Sequence, residues 1–175
     1  LHFLGGATEI EGEPDAAAHE FGISVVGPPT SLAVGVVAFA VGRVLSGLVG
    51  CAFDALAYAK ERKQFGRPIG SFQALQHRFA DLATDLEAAR LMTRWVATLT
   101  DEDPERMLPR QASMVKLFVT EVAKRTTLEG MQLMGGYGYS SEYDMERLVR
   151  ASLVSTIYGG TSEIQRNIIA KTLGL

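Results

Sequence analysis

The side chains of this sequence form none of the common catalytic motifs. There is no Gly-x-Ser-x-Gly nucleophile elbow, no phosphate-binding P-loop and no His-Glu-x-x-His zinc motif. The run Gly135-Gly136-Tyr137-Gly138 is rich in glycine, but it follows a predicted helix, whereas the dinucleotide-binding fingerprint follows a strand. His77 lies beside the apolar face of another predicted helix, where a structural or surface role is the simpler interpretation. Residue types and spacing alone therefore predict no active site.

Charge and cysteine content exclude several classes of protein. The formal net charge of −3 gives no reason to expect a nucleic acid as a partner. Cys51 is the only cysteine, which excludes an intramolecular disulfide and leaves the histidines without a thiol cluster for a metal site. Its apolar neighbours predict a buried core thiol. The lack of disulfides agrees with the cytoplasmic location that we expect.

Apolar periodicity predicts an all-α chain, an antiparallel bundle of three long and two short helices. The long helices should cover Leu32 to about Lys63, Ser71 to about Thr100, and Gln111 to Met134. The short helices should cover Ser141 to about Val154, and Ser162 to about Leu173. At least one apolar face per long helix is needed to close such a bundle.

Faces and ends of these helices can also be predicted. The second helix should pack through a seam with alternating spacings of three and four: Phe72, Leu75, Phe79, Leu82, Leu86, Ala89, Thr93 and Val96. The third should present Met114, Val115, Phe118, Val119 and Val122 on one face. Ser71 should cap the second helix, Ser162 should open a capping box on the last, and Gly174 should end it.

The first thirty residues differ from the rest. Residues 1–30 are irregular and rich in turn-forming residues, and they could be the remnant of a preceding domain, with one short strand at Phe21–Val26. The helical domain should span residues 31–175. An uncharged run from Phe21 to Gly42 is divided by Pro28-Pro29, so we predict no membrane span.

Three segments carry a resemblance to a known family. They are Tyr58-Ala59-Lys60-Glu61-Arg62-Lys63-Gln64-Phe65-Gly66-Arg67-Pro68-Ile69 with Phe72-Gln73-Ala74-Leu75-Gln76, then Gln132-Leu133-Met134-Gly135-Gly136-Tyr137-Gly138-Tyr139, and Ile157-Tyr158-Gly159-Gly160-Thr161-Ser162-Glu163-Ile164-Gln165-Arg166. In order and spacing they resemble the signature segments of the flavin-binding C-terminal domain of acyl-CoA dehydrogenases. The resemblance covers about residues 31–175 and implies a helical bundle that forms tetramers and holds FAD across subunit boundaries.

The resemblance also implies which residues contact FAD: Arg62, Lys63, Gln64, Phe72, Gln73, Gln132, Leu133, Met134, Gly135, Gly136, Thr161, Ser162 and Glu163. By this resemblance Arg62, Lys63 and Gln64 would meet the pyrophosphate side, with Phe72 and Gln73 nearby. A guanidinium matches phosphate oxygens bidentately, although spacing alone favours Arg62 as a solvated cation at a helix end. The segment from Gln132 to Gly136 would approach the flavin of a neighbouring subunit, or else its glycines would simply end a helix. Helix N–H groups near Ser162 would suit electron-rich ligand atoms.

At the position of the catalytic base the sequence departs from the family. Many members have a Glu there that removes the substrate's α-proton, whereas this chain has Gly159. Members that keep glycine supply a Glu from the first long helix, but that site falls near Val36 and Val37, and the Arg that often follows it is also missing. Ala151 replaces an Asp that usually follows Arg150. No catalytic residue is identified.

The resemblance implies an FAD-dependent dehydrogenation of an acyl-CoA thioester, with an electron-transfer flavoprotein as electron acceptor. The empty base positions favour a member of an oligomer, either a homo-oligomer or a heteromer with a related subunit, whose base comes from elsewhere. Two alternatives remain open. The chain could be a non-catalytic helical scaffold that has lost flavin, or a piece of an otherwise ordinary oxidoreductase.

Overall fold

The computed structural model describes residues 30–103 and 106–175, and the side chains from Val41 onward. The helices are α1 (Thr30–Glu61), α2 (Gln73–Glu102), α3 (Pro109–Met134), α4 (Gly136–Tyr139), α5 (Met145–Ser155) and α6 (Ser162–Thr172). Two-residue strands β1 (Lys63–Gln64) and β2 (Arg67–Pro68) and a 3₁₀ helix (Ile69–Ser71) join α1 to α2. The predicted all-α fold is confirmed, with α4 as one additional turn, and the strand predicted at Phe21–Val26 lies outside the described residues.

The core is built from the three long helices in successive layers. One layer joins Val41 of α1 to Ala89 of α2 and Val119 of α3. Further along, Leu48 packs with Val122, and then Cys51 and Ala55 pack with Met134 and with Met145 of α5. Residue numbers rise together along α1 and α3, so these two helices run parallel. Short connections place α2 antiparallel to both.

The predicted apolar faces are largely confirmed. All eight seam residues of α2 are buried or half-buried, with Phe79, Leu86 and Val96 each packed against a core layer. On α3, Val115, Val119 and Val122 are buried, but Met114 is 37% exposed. Met114 lies at the edge of the stripe, where the described residues leave it partly uncovered. The buried thiol is also confirmed, since Cys51 is fully enclosed.

Ser71 does not cap α2, so that prediction is wrong. Its hydroxyl donates to the Pro68 carbonyl at 2.7 Å inside the 3₁₀ helix. Phe72 occupies the N-cap position of α2 and provides no side-chain hydrogen bond there. The extra 3₁₀ turn shifts the start of α2 two residues past the serine, which leaves the hydroxyl bonded to the preceding turn.

The prediction of a capping box that begins at Ser162 is wrong by one residue. Thr161 is the N-cap of α6, and its hydroxyl oxygen accepts a hydrogen bond from the Ile164 N–H at 3.4 Å. Ser162 is the first residue of the helix and is buried. At the other end, Gly174 has φ +85°, which agrees with the predicted stop.

Part of α1 is strongly apolar and is not fully buried by the described residues. The stretch Val41–Glu61 is long and apolar enough to cross a membrane, with a mean hydropathy of 1.3, although core helices of soluble proteins satisfy the same test. Val41, Leu48, Cys51 and Ala55 of this stretch lie in the bundle core. The other large apolar residues of this stretch are half-buried, except Phe53, which is 63% exposed.

Candidate functional site

The first group of candidate residues lies on a hairpin that follows α1. The Arg62 N–H donates to the Tyr58 carbonyl at 2.8 Å, and then β1 and β2 pair with Gln64 opposite Arg67. The turn between the strands has φ +54° at Phe65 and +79° at Gly66, the paired left-handed geometry of a tight hairpin. Phe65 takes this left-handed geometry although residues other than glycine rarely do, and its side chain is 91% exposed at the tip of the hairpin.

The base of this hairpin and the end of α3 enclose an open cleft of about 530 Å³. The cleft is lined by Tyr58, Arg62, Gln64, Ile69, Gln132, Leu133, Met134, Gly135, Gly136, Tyr137, Ser140 and Glu142. It therefore unites Arg62 and Gln64 with the whole predicted run from Gln132 to Gly136. No signal in the sequence predicted that these two segments would be neighbours in one chain.

Glycine leaves the backbone of this cleft open. Helix α3 ends because Gly135 takes φ +60°, and its N–H donates to the Gln132 carbonyl at 3.3 Å. A Cβ atom placed on Gly135 or Gly136 would meet no heavy atom within 4 Å. A ligand could therefore approach the main chain here without displacing a side chain.

Aromatic rings form one wall of the cleft. The Tyr137 ring lies 5.7 Å from the rings of both Tyr58 and Tyr143, measured between centroids. The Arg62 guanidinium carbon lies 5.8 Å from the Tyr137 centroid, which is a cation–π distance. Within the described part of the chain Arg62 forms no ion pair. Tyr58 and Tyr137 occur in the signature segments, yet the sequence did not predict their contact.

Lys63, Phe72 and Gln73 are not brought into the cleft. Lys63 and Gln73 are exposed, and neither lines it. Phe72 does not line the cleft but contacts Arg67, whose guanidinium carbon lies 4.1 Å from the Phe72 ring centroid. The Phe65 ring lies 6.1 Å from the same ring, edge to face. Phe65, Arg67 and Phe72 thus form an aromatic and cationic cluster separate from the cleft.

The third group lies in the turn between α5 and α6. Gly159 and Gly160 take φ +64° and +89°, so two left-handed residues in succession reverse the chain. The Lys116 ammonium of α3 donates to the Gly160 carbonyl at 2.7 Å. The Ser162 hydroxyl donates to the Glu121 carboxylate at 2.6 Å, also on α3. Thr161, Ser162 and Glu163 are therefore placed beside the first half of α3.

Within a single chain, Thr161, Ser162 and Glu163 do not reach the cleft. Glu121 binds Ser162, whereas Gln132 lines the cleft eleven residues further along the same helix. At 1.5 Å per residue, the separation along α3 is about 16 Å. The two parts of the predicted site are thus held rigidly apart on one helix.

At the N-terminus of α6, two of the backbone N–H groups that were expected to be free for a ligand already donate hydrogen bonds within the protein. The Ser162 N–H donates to the Thr156 carbonyl at 3.1 Å, and the Ile164 N–H donates to Thr161. The pKa of the exposed Glu163 carboxyl lies below its usual range, because it accepts hydrogen bonds from its own backbone N–H and from the Thr161 hydroxyl. A ligand here would have to share or displace these bonds.

The position expected to hold a base offers only backbone. Gly159 is exposed, and a Cβ atom placed on it would meet no heavy atom within 4 Å. A larger side chain would therefore have room, although φ +64° is unfavourable for any residue other than glycine. The side chains of Val36 and Val37 lie outside the described residues.

A family model described as "Acyl-CoA dehydrogenase, C-terminal domain" matches residues 33–174. The chain belongs to the acyl-CoA dehydrogenase family. A "Probable acyl-CoA dehydrogenase YngJ" from Bacillus subtilis is 42% identical over 168 residues, covering 95% of this chain and 41% of that protein. The "Caffeyl-CoA reductase-Etf complex subunit CarC" of Acetobacterium woodii is 43% identical over 124 residues, or 71% of this chain and 32% of that one.

Solved structures agree on the fold of this acyl-CoA dehydrogenase domain. The structure "PigA with FAD and proline" superposes with a TM-score of 0.75 at 32% identity, covering 82% of this chain and 37% of that chain. The chain thus spans less than half the length of each of these relatives. The match to YngJ also extends into the first thirty residues, which precede the family domain.

Proposed function

We propose that this chain is the FAD-binding domain of an acyl-CoA dehydrogenase-type oxidoreductase, which dehydrogenates an acyl-CoA thioester between its α and β carbons. The observation that carries the proposal is the cleft that joins Arg62 to the bare backbone of Gly135 and Gly136. A dinucleotide needs cationic donors for its phosphates and unobstructed main chain for close contact, and this cleft offers both.

The charges of the cleft restrict how a pyrophosphate could lie. Arg62 offers a fork of donors with no carboxylate paired to it in the described region. Glu142 also lines the cleft, and its carboxylate would repel phosphate oxygens placed beside it. We therefore assign the pyrophosphate to the hairpin side, with Gln64 as a further polar contact.

FAD, when bound, supplies the acceptor for the hydride that leaves the β-carbon. This chain's own residues would bind and orient the cofactor, but Gly159 cannot remove the α-proton. We therefore propose that the base comes from another chain or another part of the whole protein. We propose an electron-transfer flavoprotein as the electron acceptor, and the membership of CarC in a reductase-Etf complex supports such a flavoprotein as a redox partner.

Two observations support an oligomer, either of identical chains or with a related subunit. The turn that carries Thr161 to Glu163 is anchored on α3 about 16 Å from Gln132, and none of these three residues lines the cleft, which agrees with a cofactor shared by two subunits. The partly exposed apolar surface of α1, on which Phe53 is 63% exposed, also fits a contact between subunits. We propose this role for it, in a cytoplasmic protein, in preference to a membrane span.

The absorption spectrum of the natural full-length protein tests this proposal. We expect a copurified or reconstituted flavin with its visible absorption bands. The second candidate, a scaffold without flavin, is favoured by Gly159 alone. A protein that assembles but binds no FAD at micromolar concentration would support the scaffold and contradict the proposal.

A further inference from the structure

The turn at Gly159–Gly160 depends on other residues for its shape. Both residues have positive φ and no side chain with which to contact the protein. Their carbonyls instead accept hydrogen bonds from the side chain of Gln165, whose amide nitrogen lies 3.0 Å from the Gly159 oxygen and 3.3 Å from that of Gly160. A Cβ atom on Gly160 would lie 2.6 Å from that nitrogen, so the contact requires glycine.

Lys116 holds the same turn from α3. The residue is only 5% exposed, and its ammonium donates to the Gly160 carbonyl at 2.7 Å. Burial lowers the pKa of this ammonium, while the nearby carboxylates of Glu121 and Glu163 act in the opposite direction. Because removing a charged group from water is costly, packing alone does not account for a lysine here.

Helix α3 therefore holds the turn on both sides. Lys116 binds the carbonyl of Gly160, and Glu121, five residues later, binds the hydroxyl of Ser162. Between these two contacts lies Thr161, the N-cap of α6. The bonds join the turn to α3, which contributes residues to all three core layers, and this fixes the distance from α3 to Thr161 and Glu163.

We propose that Lys116 is a positioning residue for the cofactor: its ammonium fixes the Gly159–Gly160 turn so that Thr161 and Glu163 meet the flavin in one geometry. This inference rests on the proposed function. A hydrophobic residue of similar length could fill the space of the lysine stem but could not hold the carbonyl.

The test compares Lys116→Met with Lys124→Met, a matched control on the same helix, in the full-length protein. For Lys116→Met we expect FAD binding to weaken by up to about tenfold, because FAD must then order a turn that the lost hydrogen bond from a charged group no longer fixes. We also expect a changed visible flavin spectrum and faster hydrogen exchange at the amides of residues 160–164. The control should match the parent in all three.

Gly160→Ala is the second variant, because it disturbs the turn without altering α3. It should reproduce the loss of FAD affinity, even if Lys116→Met does not fold. A folded Lys116→Met or Gly160→Ala protein with the parent's FAD affinity and spectrum would overturn the inference while leaving the proposed function intact. A parent that binds no FAD would refute the function itself, whereas hydrogen exchange would still report whether Lys116 holds the turn.

Discussion

Replacement of Arg62 by alanine tests the assignment of the cleft most directly. In this fold the guanidinium rests against Tyr137 and faces the open cleft, so its removal should not disturb the core. A hydrogen bond to a charged group contributes about 1.5–3 kcal/mol, which corresponds to about 10–150-fold in Kd. Because Arg62 is exposed in the single chain, we expect the lower end unless a second subunit covers the cleft.

The assay is titration of the full-length apoprotein with FAD, followed by flavin fluorescence or calorimetry. Arg62→Lys should fall between the parent and Arg62→Ala, because it keeps the charge but loses the planar fork. Arg94→Ala serves as the control, since Arg94 is exposed on α2 away from the cleft. Added salt should weaken binding by the parent more than by Arg62→Ala. Equal affinities for Arg62→Ala and the parent would refute the pyrophosphate assignment.

Four further predictions concern catalysis, assembly and the core. Without a partner that supplies the base, the chain should not bleach its flavin when acyl-CoA is added, because general-base catalysis contributes about 10²–10⁴-fold to the rate. Gly159→Glu should raise the rate of flavin reduction. Rapid flavin reduction by the parent chain alone would contradict this prediction. Sedimentation should show an oligomer at micromolar concentration, not a monomer. Gly130→Ala should lower the free energy of unfolding by about 1–3 kcal/mol in denaturant titration, because its Cβ would lie 2.8 Å from the Cys51 sulfur. Burial raises the pKa of the Cys51 thiol to about 12, so at pH 8 a thiol reagent should label it only after unfolding.

The long helices and the family were both predictable from the sequence, because each depends on local order along the chain. A seam with spacings of three and four residues identifies the buried face of α2 whatever its neighbours are. The three signature segments likewise identify the acyl-CoA dehydrogenase family by their internal spacing. Gly159 in place of a glutamate was evident for the same reason.

Contacts between distant segments were decided only by the tertiary structure. The cleft requires Arg62 and Gly135 to be neighbours, and this follows from the parallel packing of α1 and α3, which no local pattern specifies. Which hydroxyl caps a helix also depended on the tertiary turn, as the shift from Ser162 to Thr161 shows. The sequence did not indicate a role for Lys116, because a lysine next to Val115 is expected at the solvated edge of the helix. Its burial, with the ammonium bonded to the Gly160 carbonyl, was decided by the tertiary structure. Periodicity reports how much of a helix face is buried, whereas the partner that buries a particular residue is chosen by the packing of the whole chain.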